Sequence, residues 1–225
     1  MRIVNYVMCH KDFIWNTELP GNLTVAIGQK PVKTNLPLIV YESEYDDRSY
    51  GELPVWQFIY DNMRDTDLAV LHHYRRAQMI HRLSPSVAMP FIFKGGIGKQ
   101  MEAYHSPICC DMLKSVDANL EQELFYPYNM FAGTKKFIGM WLDYCKPKID
   151  YICDKWNLHS HADWKAFVNK EPSFFANPSN INKQCNETYQ SRVPACMLER
   201  ISSNFFYQFK MPANKVVLLE EGQTI

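Results

Sequence analysis

Leu68-Ala69-Val70-Leu71-His72-His73-Tyr74-Arg75-Arg76 joins four apolar residues directly to a run of rings and cations. The apolar part reads as a short strand buried on both faces. In open α/β sheets, ligands bind beyond the carboxyl ends of the strands. That end of this strand carries His73, Tyr74, Arg75 and Arg76. Two adjacent guanidinium groups suit the oxygens of a diphosphate. From spacing alone, the same pair also fits two arginines reaching solvent from a loop. His73 suits a general acid or base, a metal ligand, a phosphate donor, or a packed ring bonded to backbone. Strand alternation turns His72 to the opposite face.

Upstream, Arg2-Ile3-Val4-Asn5-Tyr6-Val7-Met8 reads as a second buried strand, broken by Cys9-His10-Lys11-Asp12. Short strands follow at Leu23–Ile27, before Gly28, and at Leu38–Tyr41. Pro54 opens a helix with Val55, Ile59 and Met63 on one stripe and Glu52 near its positive end. Downstream, strands are predicted at Val87–Met89, at Tyr128–Ala132 (ended by Gly133) and at Val216–Leu219. Lys94–Lys99 reads as a flexible glycine-rich loop, and helices follow at Gln100–Tyr104 and after Pro107. Apolar positions from Ile138 to Trp156 give a long amphipathic helix, kinked or broken near Pro147. Residues 157–188 are polar and irregular, as in a lid or insertion, and Val193–Phe205 marks a last helix. Strands alternating with helices predict an α/β layer architecture.

Lys+Arg and Asp+Glu both total 24 in 225 residues, giving a formal net charge of +0. That balance argues against a nucleic-acid partner and leaves room for a small anionic ligand. The seven cysteines are odd in number and form no C-x-x-C pair. They read as reduced thiols in a cytoplasmic, soluble protein. No signal-peptide core and no apolar stretch of roughly 20 residues is present, so no transmembrane segment is expected. Asp65-Thr66-Asp67 is formally D-x-D but precedes its strand, so it reads as a turn. No metal ligand is assigned, and dependence on Mn²⁺ or Mg²⁺ is left open. There is no G-x-x-x-x-G-K-[ST] loop and no G-x-S-x-G elbow. Glu199, followed by Arg200, fits either a base of raised pKa beside an apolar face or a structural pair.

These motifs together resemble a bacterial-type family of capsule and exopolysaccharide proteins, long labelled a domain of unknown function. Its members are glycosyltransferases of the GT-A group. Cys9-His10-Lys11 looks like the family's T-H-K, and Val25-Ala26-Ile27-Gly28 like its second strand. Tyr50-Gly51-Glu52-Leu53-Pro54 is similar to its Y-C-E-L-T helix start, with Asn62 matching the Asn at that helix end. The segment Ala69–Arg76 resembles the hallmark I-G-L-C-H-Y-R-R, and His105 a later histidine. Tyr128-Asn129-Met130-Phe131 looks like Y-N-M-F. Tyr189–Val193 and Leu198–Ile201 look like the closing Y-Q-x-R-V and L-x-E-R-L. The matches are ordered and run from residue 9 to about residue 201; Cys9, Gly51, Pro54 and a shortened connection after the second strand depart from the pattern.

The resemblance implies a single GT-A-like domain over residues 1–225, with a mixed, mostly parallel central sheet flanked by helices. It implies a nucleotide-diphosphate sugar as donor and a glycan or polysaccharide hydroxyl as acceptor. His10 and Lys11 would then line the nucleotide, and Tyr74, Arg75 and Arg76 the diphosphate. His73 would stand nearby as a catalytic group, and Asn129 would touch the sugar. Glu199 would take the acceptor proton if the reaction inverts, or position substrate if it retains configuration, with Glu52, His105, Arg192 and Arg200 supporting or binding the acceptor. A non-catalytic carbohydrate- or nucleotide-binding module is one alternative. A nucleotidyl- or phosphoryl-transferring enzyme is another.

Overall fold

The computed structural model describes residues 1–80, 83–176 and 186–219. Two parallel strands form its spine: β1 (Arg2–Met8) and β4 (Asp67–His73), in register from Arg2↔Asp67 to Met8↔His73. Every residue of β4 is buried, as its apolar run predicts. Beyond β1 lie β2 (Leu23–Gly28) and β3 (Leu38–Val40), both parallel. On the other side come β5 (Arg76–Met79), β6 (Ser86–Ala88), β9 (Phe131–Thr134) and β10 (Ala213–Leu218). The strand order is β3-β2-β1-β4-β5-β10-β6-β9, and β9 pairs back onto β4. The strands β4, β5, β10, β6 and β9 therefore close into a five-stranded ring. A small separate ladder joins β7 (Phe91–Ile92) and β8 (Leu124–Phe125).

The expected mostly parallel sheet is found among β1 to β4, and the rest of the sheet is mostly antiparallel. Four ladders of the main sheet are parallel, β1–β2, β1–β4, β2–β3 and β6–β10. The other four, β4–β5, β5–β10, β4–β9 and β6–β9, are antiparallel. The cause is local. After His73 the chain reverses over Tyr74 and Arg75, and Arg76 pairs back onto His73.

Helices α2 (Leu53–Asn62), α5 (Lys135–Trp156) and α8 (Val193–Gln208) bury their apolar faces in one core. Trp56 stacks on Phe131 with ring centroids 3.9 Å apart, and both are fully buried. The Trp56 indole N–H also donates to the Asn129 carbonyl at 2.9 Å. Trp56→Ala is expected to destabilise the fold by about 3–5 kcal/mol, measured by urea unfolding; a change under about 1 kcal/mol would contradict this packing. Pro147 does not break α5, which runs for 22 residues. Pro147 and Asp143, whose carbonyl it leaves unbonded, both face solvent, where water can take that carbonyl.

Three other expectations change. The glycine-rich loop at 94–99 is partly helical: α3 spans Gly96–Tyr104, and α4 follows at Pro107–Lys114. Gly96 has φ +91, and a Cβ there would sit 2.3 Å from the Leu120 carbonyl oxygen, so only glycine fits. The expected strand at Tyr128–Ala132 is a short 3₁₀ turn, Pro127–Asn129, followed by β9. Pro127 and Asn129 are both turn formers, and they outweigh the apolar run after them. The stretch 157–188 is not irregular throughout. It holds α6 (His161–Lys170), opened by a Ser160–Asp163 capping box, and Trp164, Val168 and Phe174 are fully buried. Residues 177–185 of that stretch lie outside the described residues. Two short helices, α1 (Asp47–Tyr50) and α7 (Glu187–Gln190), and a 3₁₀ turn at Pro172–Phe174 complete the described elements. The six described cysteines are free thiols. Among the described residues no helix is long and apolar enough to cross a membrane.

Candidate active site

The carboxyl ends of β1 and β4 meet at the Met8↔His73 rung. Two cavities open there, of 310 Å³ and 430 Å³. Glu52, His73 and Arg192 line both. The first cavity adds His10 and Lys30, with Asp47 and Arg48 from α1 and His161 from α6. The second adds Arg75 and Arg76 from the β4–β5 turn, Glu199 and Arg200 from α8, and an aromatic wall that includes Phe91, Phe125, Tyr128 and Tyr189.

The β4–β5 turn is held at both ends. The Tyr74 backbone N–H donates to the Met8 carbonyl at 3.0 Å, and the Leu219 N–H to the Arg75 carbonyl at 3.0 Å. Tyr74 is buried and serves as a platform, with Lys11 5.3 Å and Arg75 5.2 Å from its ring centroid. Its hydroxyl shares a 3.4 Å hydrogen bond with His10 Nε2. Arg76 stacks on Tyr128 at 4.1 Å. Arg75, Arg76 and Arg192 form no ion pair among the described residues, and the Nε atoms of Arg75 and Arg76 are buried without a partner. Uncompensated guanidinium groups beside a cavity create a site for an anion.

The histidines around these cations are held neutral. Burial, with Arg192, Arg75 and Lys11 nearby, lowers the His10 pKa to about 4. Burial, then Arg76 and Arg75, lowers His73 to about 2. The Arg75 backbone N–H donates to His73 Nδ1 at 3.3 Å, so the neutral ring carries its proton on Nε2 and can donate it to a ligand. His72 lies on the other face, bonded through Nε2 to Asn5 at 3.1 Å, and burial lowers it to about 3. A histidine whose folded pKa lies below its unfolded value stabilises above the unfolded value. That stability is lost as pH falls. Melting temperature is therefore expected to drop as pH falls from about 6.5 toward 4. A stability profile flat across that window would contradict the neutral cluster.

Two glutamates line the cavities with the cations. Glu52, just before α2, is buried, and Asn129 Nδ2 donates to its Oε2 at 3.3 Å. Burial, with Glu199 nearby, raises its pKa to about 7, against the pull of Arg192 and Asn129. Glu199 is also raised by burial, but both its oxygens are engaged. The Tyr128 N–H donates to Oε1 at 2.8 Å, and Arg200 Nη1 to Oε2 at 3.1 Å.

Of the remaining sequence candidates, Asn129 and His105 fall behind the cavity walls, while Arg200 lines the second cavity. Asn129 is fully buried behind Glu52 and lines neither cavity. His105 is buried, stacked on Tyr189 at 5.3 Å and bonded to Gln190 through Nδ1 at 2.8 Å; burial, with Arg200, lowers it to about 3. Arg200 is buried as the clamp on Glu199. The sequence reading missed Lys30, Asp47, Arg48 and His161, which reach the first cavity from three separate segments with no motif among them.

Asp65-Thr66-Asp67 lies at the opposite end of β4, about 20 Å from His73 by strand rise. Arg2 takes up the Asp67 carboxylate through bonds of 2.6 and 3.2 Å. Among the described residues no three His, Cys, Asp or Glu side chains gather to hold a metal ion. The formal D-x-D therefore lies away from the cleft.

The architecture is a mixed α/β fold similar to that of a glycosyltransferase. One similar solved structure is the WbbM bifunctional glycosyltransferase in its apo form, with a TM-score of 0.56 and 10% identity. The match covers 98% of this chain and 46% of that one, so the chain spans about half the length of this neighbour. At such identity the likeness concerns the fold alone. No protein-family model matches the chain, and no curated protein matches it.

Proposed function

We propose that the chain is a glycosyltransferase that moves a sugar from a nucleotide-diphosphate donor to a hydroxyl of a glycan acceptor, in a GT-A-like domain. The observation that carries this reading is the juxtaposition of three guanidinium groups without an ion pair among the described residues, Arg75, Arg76 and Arg192, with a buried carboxyl, Glu52, at the end of the β1–β4 spine. The fold likeness and the ordered H-Y-R-R resemblance support it. In this reading the diphosphate spans the two cavities. Arg75 and Arg76 balance its charge, and His73 Nε2–H donates to an oxygen.

Glu52 takes the acceptor proton. Glu52 lines both cavities, and a pKa near neutrality matches a general base at physiological pH. Glu199, the base expected from sequence, has both oxygens occupied and serves better as a fixed wall. The new acceptor O–C bond forms as the C–O bond to phosphate breaks. The nucleoside diphosphate leaves against the arginines, where preorganised charge stabilises it.

The test is a thermal-shift screen against nucleotide-diphosphate sugars, with and without Mn²⁺, followed by release of free nucleotide for each hit. A donor that binds the folded state raises its melting temperature. One donor that stabilises without metal and is slowly hydrolysed is the expected result. Silence from every donor, with stabilisation by free glycans, would replace the enzyme by a carbohydrate-binding module.

A further inference from the structure

We infer that Asn129 acts as a positioning residue for Glu52 rather than as a sugar contact, and that the turn carrying it fixes the two glutamates of the cleft, Glu52 and Glu199. Tyr128 and Asn129 have φ values of 71 and 46, two consecutive non-glycine residues in the left-handed region. Such backbone persists where its surroundings over-determine it. Here the Trp56 indole N–H holds the Asn129 carbonyl at 2.9 Å, and Arg76 covers the Tyr128 ring at 4.1 Å. The turn sends one donor to each acid: the Tyr128 N–H to Glu199 at 2.8 Å and the Asn129 amide to Glu52 at 3.3 Å.

The other end of the same amide is informative. Asn129 Oδ1 is buried and has no hydrogen-bond partner among the described residues. A buried acceptor left open costs free energy unless some state of the site uses it. Glu52 supplies that state. As a carboxylate it accepts from Asn129 Nδ2. Once it has taken a proton its O–H becomes a donor, and a half-turn of the amide brings Oδ1 to receive it. The amide therefore serves both forms of the acid, which a residue cycling through proton uptake and release requires.

Other charged and titratable groups face Glu52 across the two cavities. Glu199 and Arg192 come from the α8 side, His73, Arg75 and Arg76 from β4–β5, and His10 from the end of β1. Asp47 and Arg48 of α1, Lys30 and His161 line the first cavity with it. None of these has a hydrogen bond to the Glu52 carboxyl among the described residues; Asn129 does.

The catalytic part of this inference rests on the transferase proposal, so the test reads Glu52 directly. Asn129→Gly and Asn129→Asp both tolerate a left-handed backbone and both remove the amide donor. The Glu52 side-chain carboxyl is followed by carbon-13 NMR across pH, with Glu52→Gln to assign its signal. Loss of a donor to the charged form is expected to raise the titration midpoint by about 1 pH unit in Asn129→Gly, and at least as far in Asn129→Asp, whose new carboxyl adds like-charge repulsion. The acid limb of kcat/KM should move with it, recovering at high pH. A midpoint unmoved in both folded variants overturns the inference. A moved midpoint in a protein that transfers no sugar upholds it and sinks the transferase reading instead.

Discussion

Glu52→Gln is expected to lower transfer by about 10²–10⁴-fold, the usual contribution of a positioned general base, while donor binding is retained. The amide keeps the size of the carboxyl and can still bond Asn129, so the cleft should keep its shape. Stability should move the other way. Folded Glu52 has its pKa raised to about 7 from 4.5, so the folded state binds the proton more tightly than the unfolded chain does. Its stabilising effect is complete below about pH 4.5 and is lost as pH rises through about 7. Above that the native protein keeps a buried carboxylate at a cost of about 3 kcal/mol, which glutamine removes. The variant should thus melt higher than the native protein at pH 8 and alike near pH 4.5. A variant that keeps full turnover would assign the base elsewhere, with Glu199 the next candidate.

The double substitution Arg75→Ala, Arg76→Ala should reduce kcat/KM by about 10³-fold or more, since each guanidinium removed from a developing phosphate charge costs roughly 10²–10³. Folding should be spared. Neither side chain has an ion pair among the described residues, and both sit on a turn held by backbone bonds. Arg76→Lys should not restore activity, because an ammonium cannot reproduce the planar fork or its stacking on Tyr128 at 4.1 Å. Measuring circular dichroism beside kinetics separates the outcomes. If the double variant unfolds, the two cations are structural and the diphosphate assignment fails.

The residues of the spine were legible because burial on both faces leaves an unmistakable pattern. Leu68–Leu71 and Ile3–Val7 announce buried strands, and the polar residues after each announce the cleft. Such reasoning also placed His10, His73, Arg75 and Arg76 at one end of the sheet, and the structure brings them together. The antiparallel half was hidden. Its ring depends on β9 pairing with both β4 and β6, a long-range match that leaves no local signal. Asn129 was read as part of a strand because the apolar run Met130-Phe131-Ala132 dominates its window. Pro127 beside it was the available clue to a turn. The choice between Glu52 and Glu199 could not be read from sequence. It turns on which carboxyl has oxygens to spare, and that depends on Arg200 and the Tyr128 N–H arriving from elsewhere in the chain.

The most direct test of the central claim is calorimetric titration of the native protein and the Arg75→Ala, Arg76→Ala variant with the nucleotide-diphosphate sugar that gives the largest thermal shift, at two salt concentrations. The cationic cleft predicts binding by the native protein that weakens with salt and is lost in the folded variant. Equal affinity in both proteins, insensitive to salt, would contradict it.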